Sequence, residues 1–175
     1  EPYRRQRQMC IRDRDYPSSA KFSHNESVHD EMYEDGIYVG YRYFDSFGVK
    51  PLYCFGYGKS YTDFEIKAGK ISVEGNEIQI PVTVKNTGNC TGTETLQLYI
   101  HDIAASVVRP VRELKDFKKV TLRPGEEKKV VFTITEQQLL FLTENGIYES
   151  EAGEFEIFIG KDSLTDNKAS FVLKK

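Results

Sequence analysis

The sequence predicts an all-β sandwich of about seven strands, and three observations carry that prediction. Apolar and polar residues alternate over short runs: Ile78, Ile80, Val82 and Val84, then Leu96, Leu98 and Ile100, then Val130, Phe132 and Ile134. A period of two marks half-buried strands. The runs are punctuated by polar, glycine-bearing clusters such as NTGNCTGT at 86–93 and RPGEE at 123–127, whose Gly, Pro and Asx residues reverse the chain. Eleven Tyr and eleven Phe without a single Trp suit strands, where aromatic side chains pack well.

Taken in order, residues 1–15 are arginine-rich and without periodicity, the pattern of a disordered leader. The polar stretch 16–36 reads as an extended loop. Its His24 and His29 are flanked by Glu26, Asp30 and Glu31, but nothing fixes them on one face as a metal site requires. In GIYVGYRYFDSFGVKPLYCFGYGKSY at 36–61, the alternation of Ile37, Val39 and Tyr41 predicts a short strand. The closely spaced glycines and aromatics after it predict a segment that packs against something larger than itself. Residues 64–75 supply one or two first strands around Gly69. The runs at 77–86 and 92–102 form a strand pair joined by NTGNCTGT. Pro81 cannot donate a ladder hydrogen bond, so its strand lies at an edge there or carries a bulge.

A loop through Arg109-Pro110 leads to LKDFKKVTL, and Pro124-Gly125 turns the chain into KKVVFTI. Thr135 caps a helical turn within 135–142 that crosses the open end of the sandwich. Residues 146–150 and 154–160 are expected to form a hairpin through EAGE, with Phe155, Ile157 and Ile159 inward, and Phe171 and Leu173 mark the last strand. This count over roughly a hundred residues has the rhythm of an immunoglobulin-like or fibronectin-like sandwich. The Cys-Trp-Cys signature of antibody domains is absent.

Composition removes several function classes. A net charge of −3, from 24 basic and 27 acidic side chains, supplies no basic field for nucleic acid and no polybasic membrane patch. No apolar run reaches membrane-spanning length. Cys10, Cys54 and Cys90 are isolated, with no CxxC pair, which argues against zinc and favours a reducing compartment such as the cytoplasm. Asn25-Glu26-Ser27 and Asn89-Cys90-Thr91 are glycosylation triplets that matter only in a secreted eukaryotic protein. No phosphate loop or EF-hand spacing occurs, and no cofactor is expected. His101-Asp102 has no GxSxG elbow to serve. The acidic residues Glu31, Glu34, Asp35, Asp45, Asp102, Glu149, Glu151 and Glu154 are expected in loops or on outward positions that keep the surface wet.

The runs EDGIYVGYRYFDSFGVKPLYCFGYGKSYTDFEI, VTVKNTGNCTGTETLQLYIHD, RPVRELKDFKKVTLRPGEEKKVVFTI and GEFEIFIGKDS resemble, in order, the C-terminal region of glycoside hydrolase family 3, the β-glucosidase family. The resemblance covers roughly 15–175, and the chain departs from the family with Cys54 for Pro, Lys59 for Leu and Asp116 for Gly. In that family a barrel carries the nucleophilic aspartate, an α/β sandwich domain carries the acid/base glutamate, and a fibronectin type III-like domain follows. The resemblance therefore implies residues 16–61 as the tail of the α/β domain and aromatic linker, and 62–175 as the fibronectin-like domain. It places no catalytic residue in this chain. Retaining glycosidases need two carboxyl groups about 5–5.5 Å apart across a sugar cleft, and both would lie upstream, so the chain alone is expected to be inactive.

On this reading Tyr41, Tyr43, Phe44, Tyr53, Phe55 and Tyr57 pack against upstream domains and are left partly exposed without them. Carbohydrate is reached only through those domains. The rival reading is a stand-alone binding module for carbohydrate or a protein. It wants an aromatic platform on the sandwich, whereas the outward positions Thr95, Gln97, Lys129 and Thr133 are polar. The fibronectin-like part is expected to fold alone, so that proteolysis trims the chain to near Tyr61.

Overall fold

The computed structural model describes residues 34–174; the arginine-rich leader, His24, His29 and the Asn25 triplet lie outside the described residues. Among the described residues ten strands occur: β1 (Phe64–Ala68), β2 (Ser72–Glu74), β3 (Glu77–Asn86), β4 (Gly92–Asp102), β5 (Glu113–Leu122), β6 (Glu127–Thr135), β7 (Phe141–Leu142), β8 (Tyr148–Glu149), β9 (Gly153–Gly160) and β10 (Lys168–Leu173). One sheet is built on β3, which pairs with β1 and β2 on one side and β6 on the other; the second runs β10-β9-β4-β5. Because β1 and β2 share one edge position, the sandwich has the seven-strand form that the alternation predicts.

The core is the face where the alternating residues of both sheets meet. Ile78, Ile80, Val82 and Val84 of β3 oppose Leu96, Leu98 and Ile100 of β4, joined by Phe132, Ile134, Phe155, Ile157 and Leu173 in one cluster. Phe155 and Phe171 stack with centroids 5.2 Å apart. Each such side chain contributes about 1.5–3 kcal/mol through its removal from water.

The expected β3–β4 strand pair is corrected: the two strands belong to different sheets, so NTGNCTGT arches across the sandwich. Asn86, fully buried, holds the arch. Its Nδ2 donates to the carbonyls of Cys90 at 2.8 Å and Leu122 at 3.0 Å, while its Oδ1 accepts from Thr62 Oγ1 at 2.6 Å and Gly88 N at 3.0 Å. Two alternating runs can bury their apolar sides by facing each other as readily as by lying side by side, and these polar contacts select the facing arrangement.

Pro81 sits in the middle of a sheet rather than at an edge. Its carbonyl accepts from Gly69 N at 2.7 Å, so that side of the residue looks into the gap between β1 and β2. The missing N–H therefore meets an interruption in the neighbouring strand instead of a waiting acceptor. Asp116 lies at the register shift between β4 and β5 beside Leu98 and Tyr99, a bulge that bends the strand.

One further expectation changes, and the capped helical turn stands. β8 pairs with β7, not with β9, which lies between β4 and β10. The helical turn is α2 (Glu136–Leu139), with Thr135 at its N-cap and Thr135 N donating to Gln138 Oε1 at 3.0 Å. Leu139 plugs the core from that end.

Candidate functional site

The outer faces of the two sheets differ sharply. On the β3 sheet, Lys129 and Thr133 are exposed, as their polarity predicts. On the β4 sheet, Gln97, Tyr99 and Phe158 point away from the core and are nonetheless buried, so the expectation of Gln97 as an exposed outward residue is corrected. The linker meets Gln97 through Gly56 and Tyr99 through Tyr41, Arg112 lies over the Phe158 ring, and this covered face is the candidate site.

The linker begins with a correction. Residues 41–47 form α1 (Tyr41–Phe47), not a strand. Gly40 and Gly48 bound it, both with φ of 64°, a backbone region that other residues enter at a cost. Gly48 occupies the left-handed position that ends helices, and Val49 N closes the turn on Phe44 O at 3.1 Å. Inside the helix, Tyr43 and Phe47 are four residues apart with centroids at 4.9 Å. Phe44 is 2% exposed, the deepest of the six aromatics that the sequence singles out for packing.

Tyr41 joins the linker to the sheet. Its hydroxyl accepts from Leu114 N at 2.8 Å, and its ring lies 5.0 Å from Phe55 and 5.7 Å, edge-on, from Tyr99. The Tyr99 hydroxyl donates to Gln97 Oε1, and Gln97 Nε2 donates to Lys161 O at 2.7 Å. Burial pushes the Tyr99 phenol well above its ordinary range, so it remains a neutral donor. Gly56, with φ of 87°, crosses directly over this network. A Cβ there would stand 2.8 Å from Lys161 O and 3.0 Å from Asp162 Cα, and against Gln97 Nε2.

Arg112 is the second tie. Its guanidinium lies 4.1 Å from the centroid of the Phe158 ring and donates to Ser163 O, while Ser163 N donates to Phe55 O at 2.9 Å. Val111 N donates to Ser46 Oγ of α1 at 3.2 Å. Asp45, on the same helix, is pushed up to about 6 by burial, against the opposing pull of Arg112 and the Ser163 hydroxyl and with a further push from Asp162. It is therefore no ordinary wet carboxylate, contrary to the sequence expectation. Burial likewise raises the Cys54 thiol, leaving it a poor nucleophile.

The six sequence-predicted packing residues thus divide. Phe44 is buried and Tyr41 and Tyr43 are half-buried within the chain, whereas Tyr53, Phe55 and Tyr57 are exposed, with Tyr53 and Tyr57 in contact at 4.7 Å. Sequence reasoning missed Asp45, Tyr99, Arg112 and Ser163. The one available signal was LQLYI at 96–100, where Tyr99 interrupts the polar side of an alternating strand. An open groove of about 600 Å³, lined largely by Thr, Gly and Lys residues, runs between residues 56–64 and the start of β4. His101 and Asp102 are not a catalytic pair: His101 Nδ1 lies 3.5 Å from Glu156, and Asp102 pairs with Arg109 at 3.3 Å. Among the described residues no cluster of His, Cys, Asp and Glu could hold a metal ion, and no helix is long and apolar enough to cross a membrane.

Residues 94–163 match the family model of the fibronectin type III-like domain. The thermostable β-glucosidase B of Acetivibrio thermocellus is 44% identical over 155 residues, which cover 82% of this chain and 20% of that protein. The β-glucosidase BoGH3A of Bacteroides ovatus is 46% identical over 144 residues, covering 79% of this chain and 19% of its own length. The chain matches the C-terminal part of glycoside hydrolase family 3 enzymes. Solved family 3 structures share its shape: β-glucosidase 3B of Thermotoga neapolitana, in complex with glucose, superposes with a TM-score of 0.77 at 40% identity, over 83% of this chain and 20% of that one. The chain therefore spans about a fifth of the length of these relatives, corresponding to their C-terminal part with its fibronectin-like domain.

Proposed function

We propose that this chain is the structural C-terminal part of a β-glucosidase-like glycosidase, and that its sandwich packs on and stabilises upstream barrel and α/β domains through the aromatic linker. In that reading residues 16–61 are the tail of the α/β domain with its linker and 62–175 are the fibronectin-like domain. The observation that carries it is the division of the linker. One set of rings seals the outer face of the β4 sheet, which fixes the segment, while Tyr53, Phe55 and Tyr57 are held outward beside exposed Leu52. Rigidly presented aromatic area of this kind is what interfaces are built from. Sugar hydrolysis belongs to the upstream domains, and carbohydrate meets this chain only through them.

The test pairs two proteins: the chain as it stands and the polypeptide extended upstream through its own reading frame. The expected results are no turnover of an aryl β-glucoside by the first and turnover by the second. Replacing Tyr53 and Tyr57 by Ser should lower the melting temperature of the longer protein by about 2–4 °C for each kcal/mol lost, and leave the short chain unchanged. Turnover by the 175-residue chain alone would refute the proposal.

A further inference from the structure

A second apolar surface lies at the end of the sandwich where the linker enters, and the linker does not cover it. β7 and β8 pair only with each other, and together they form a short ribbon whose root is fixed. Phe141 is buried beneath the Arg109 guanidinium, 5.1 Å from the ring centroid, and buried Ser150 donates to Glu136 Oε1 at 2.5 Å. The tip is fixed as well: Thr143 N donates to Ile147 O at 2.9 Å, and Gly146 N to Thr143 O at 3.0 Å, with Gly146 at φ of 75°. Yet Leu142, Ile147 and Tyr148 are exposed, Tyr148 to 68%.

The neighbouring loop, 103–112, is clamped to the same ribbon and shares its character. Arg109 bonds Asp102 at 3.3 Å and Glu113 at 3.2 Å while covering Phe141, and Ser106 N donates to Glu151 Oε2 at 2.9 Å. From this clamped loop Ile103 and Val108 project into solvent, Val108 to 73%. Loops that only connect strands are polar and loosely held. Two loops that are tied to one another, both held in place and both displaying large apolar side chains, make a surface that wants a partner.

We infer that the β7–β8 ribbon and the 103–112 loop form a second docking surface for the upstream polypeptide of the same protein, independent of the aromatic linker. Two observations choose this occupant over a second copy or a foreign partner. Val111 N bonds Ser46 Oγ of α1, so α1 meets the sandwich beside this loop. The relatives, moreover, carry about four-fifths of their length outside the matched region, since the match covers 20% of the first of them. The inference rests on the function proposed above and adds a specific claim to it: the upstream body grips the sandwich at two places.

Hydrogen–deuterium exchange separates the two claims, with the 175-residue chain compared against the polypeptide extended upstream through its own reading frame. The expected result is exchange slowed about tenfold or more at 103–108 and 142–148, as well as in the linker, in the longer protein. Ile147→Ser with Tyr148→Ser should then lower the melting temperature of the longer protein by several degrees and leave the short chain unchanged, because both side chains are exposed in it. Protection confined to residues 34–61 overturns this inference and leaves the proposed function standing. Protection at neither place, or a reading frame that does not continue upstream, overturns both. Concentration-dependent protection of 142–148 in the short chain alone would assign the surface to a second copy and also overturn the inference.

Discussion

Asp45→Asn should stabilise the protein, and only above a defined pH. Asp45 has a folded-state pKa of about 6 against an ordinary value of 3.8. A carboxyl with a raised pKa binds its proton more tightly in the folded state, so its contribution to stability is fully present below 3.8 and is lost as pH rises to 6. Above that range the folded protein carries a desolvated carboxylate, only partly offset by Arg112. That rise corresponds to about 3 kcal/mol. The site retains contact with solvent, and screening reduces the figure to about 1–1.5 kcal/mol. For a chain of this size that is about 2–6 °C in melting temperature.

Thermal denaturation of wild type and Asp45→Asn at pH 4, 6 and 8 measures it, and the difference between variant and wild type cancels the titration of the other carboxylates. The two should melt nearly together at pH 4 and separate in favour of the variant by pH 8. A difference that does not vary with pH, or a variant less stable at pH 8, would show that Arg112 and Ser163 outweigh burial at this helix.

Asn86→Ala removes a buried side chain that makes four hydrogen bonds at the arch and should cost about 3 kcal/mol or more, because several partners lose their mates at once. Urea denaturation measures this, and a loss below about 1 kcal/mol would mean that water replaces the side chain. Limited proteolysis should stop between Gly36 and Tyr41, since the contacts of Tyr41, Ser46 and Phe55 hold the linker on the β4 sheet. A stable product beginning near Tyr61, as the residue pattern alone suggests, would show that those contacts do not protect the segment.

Alternation made the strands legible because each has one wet and one dry side, and β3, β4, β6, β9 and β10 fall where the runs fall. Partnership was less legible. β3 and β4 show the same pattern whether they pair or face each other, and only the three-dimensional reach of Asn86 decides. α1 was misread because Ile37, Val39 and Tyr41 alternate by chance, while the helical spacing of Tyr41 and Phe44 and the flanking Gly40 and Gly48 were present but weaker as signals. The covered sheet face was hidden for a different reason. Gln97 and Ser163 look like surface residues, yet both are buried, and each meets a segment dozens of positions away in the sequence.

The arch also sets an order of events while the polypeptide leaves the ribosome. β1 is made shortly before β3 and can join it at once, and β5 follows β4 closely enough to do the same. The opposite flanks of β3 and β4 must wait for β6 and for β9, so two half-built sheets emerge with their oily sides unshielded until later residues are synthesised. Late closure of this kind is slow and exposes sticky surface, which makes the interval before β9 appears the point in this protein's life when a chaperone has most to hold.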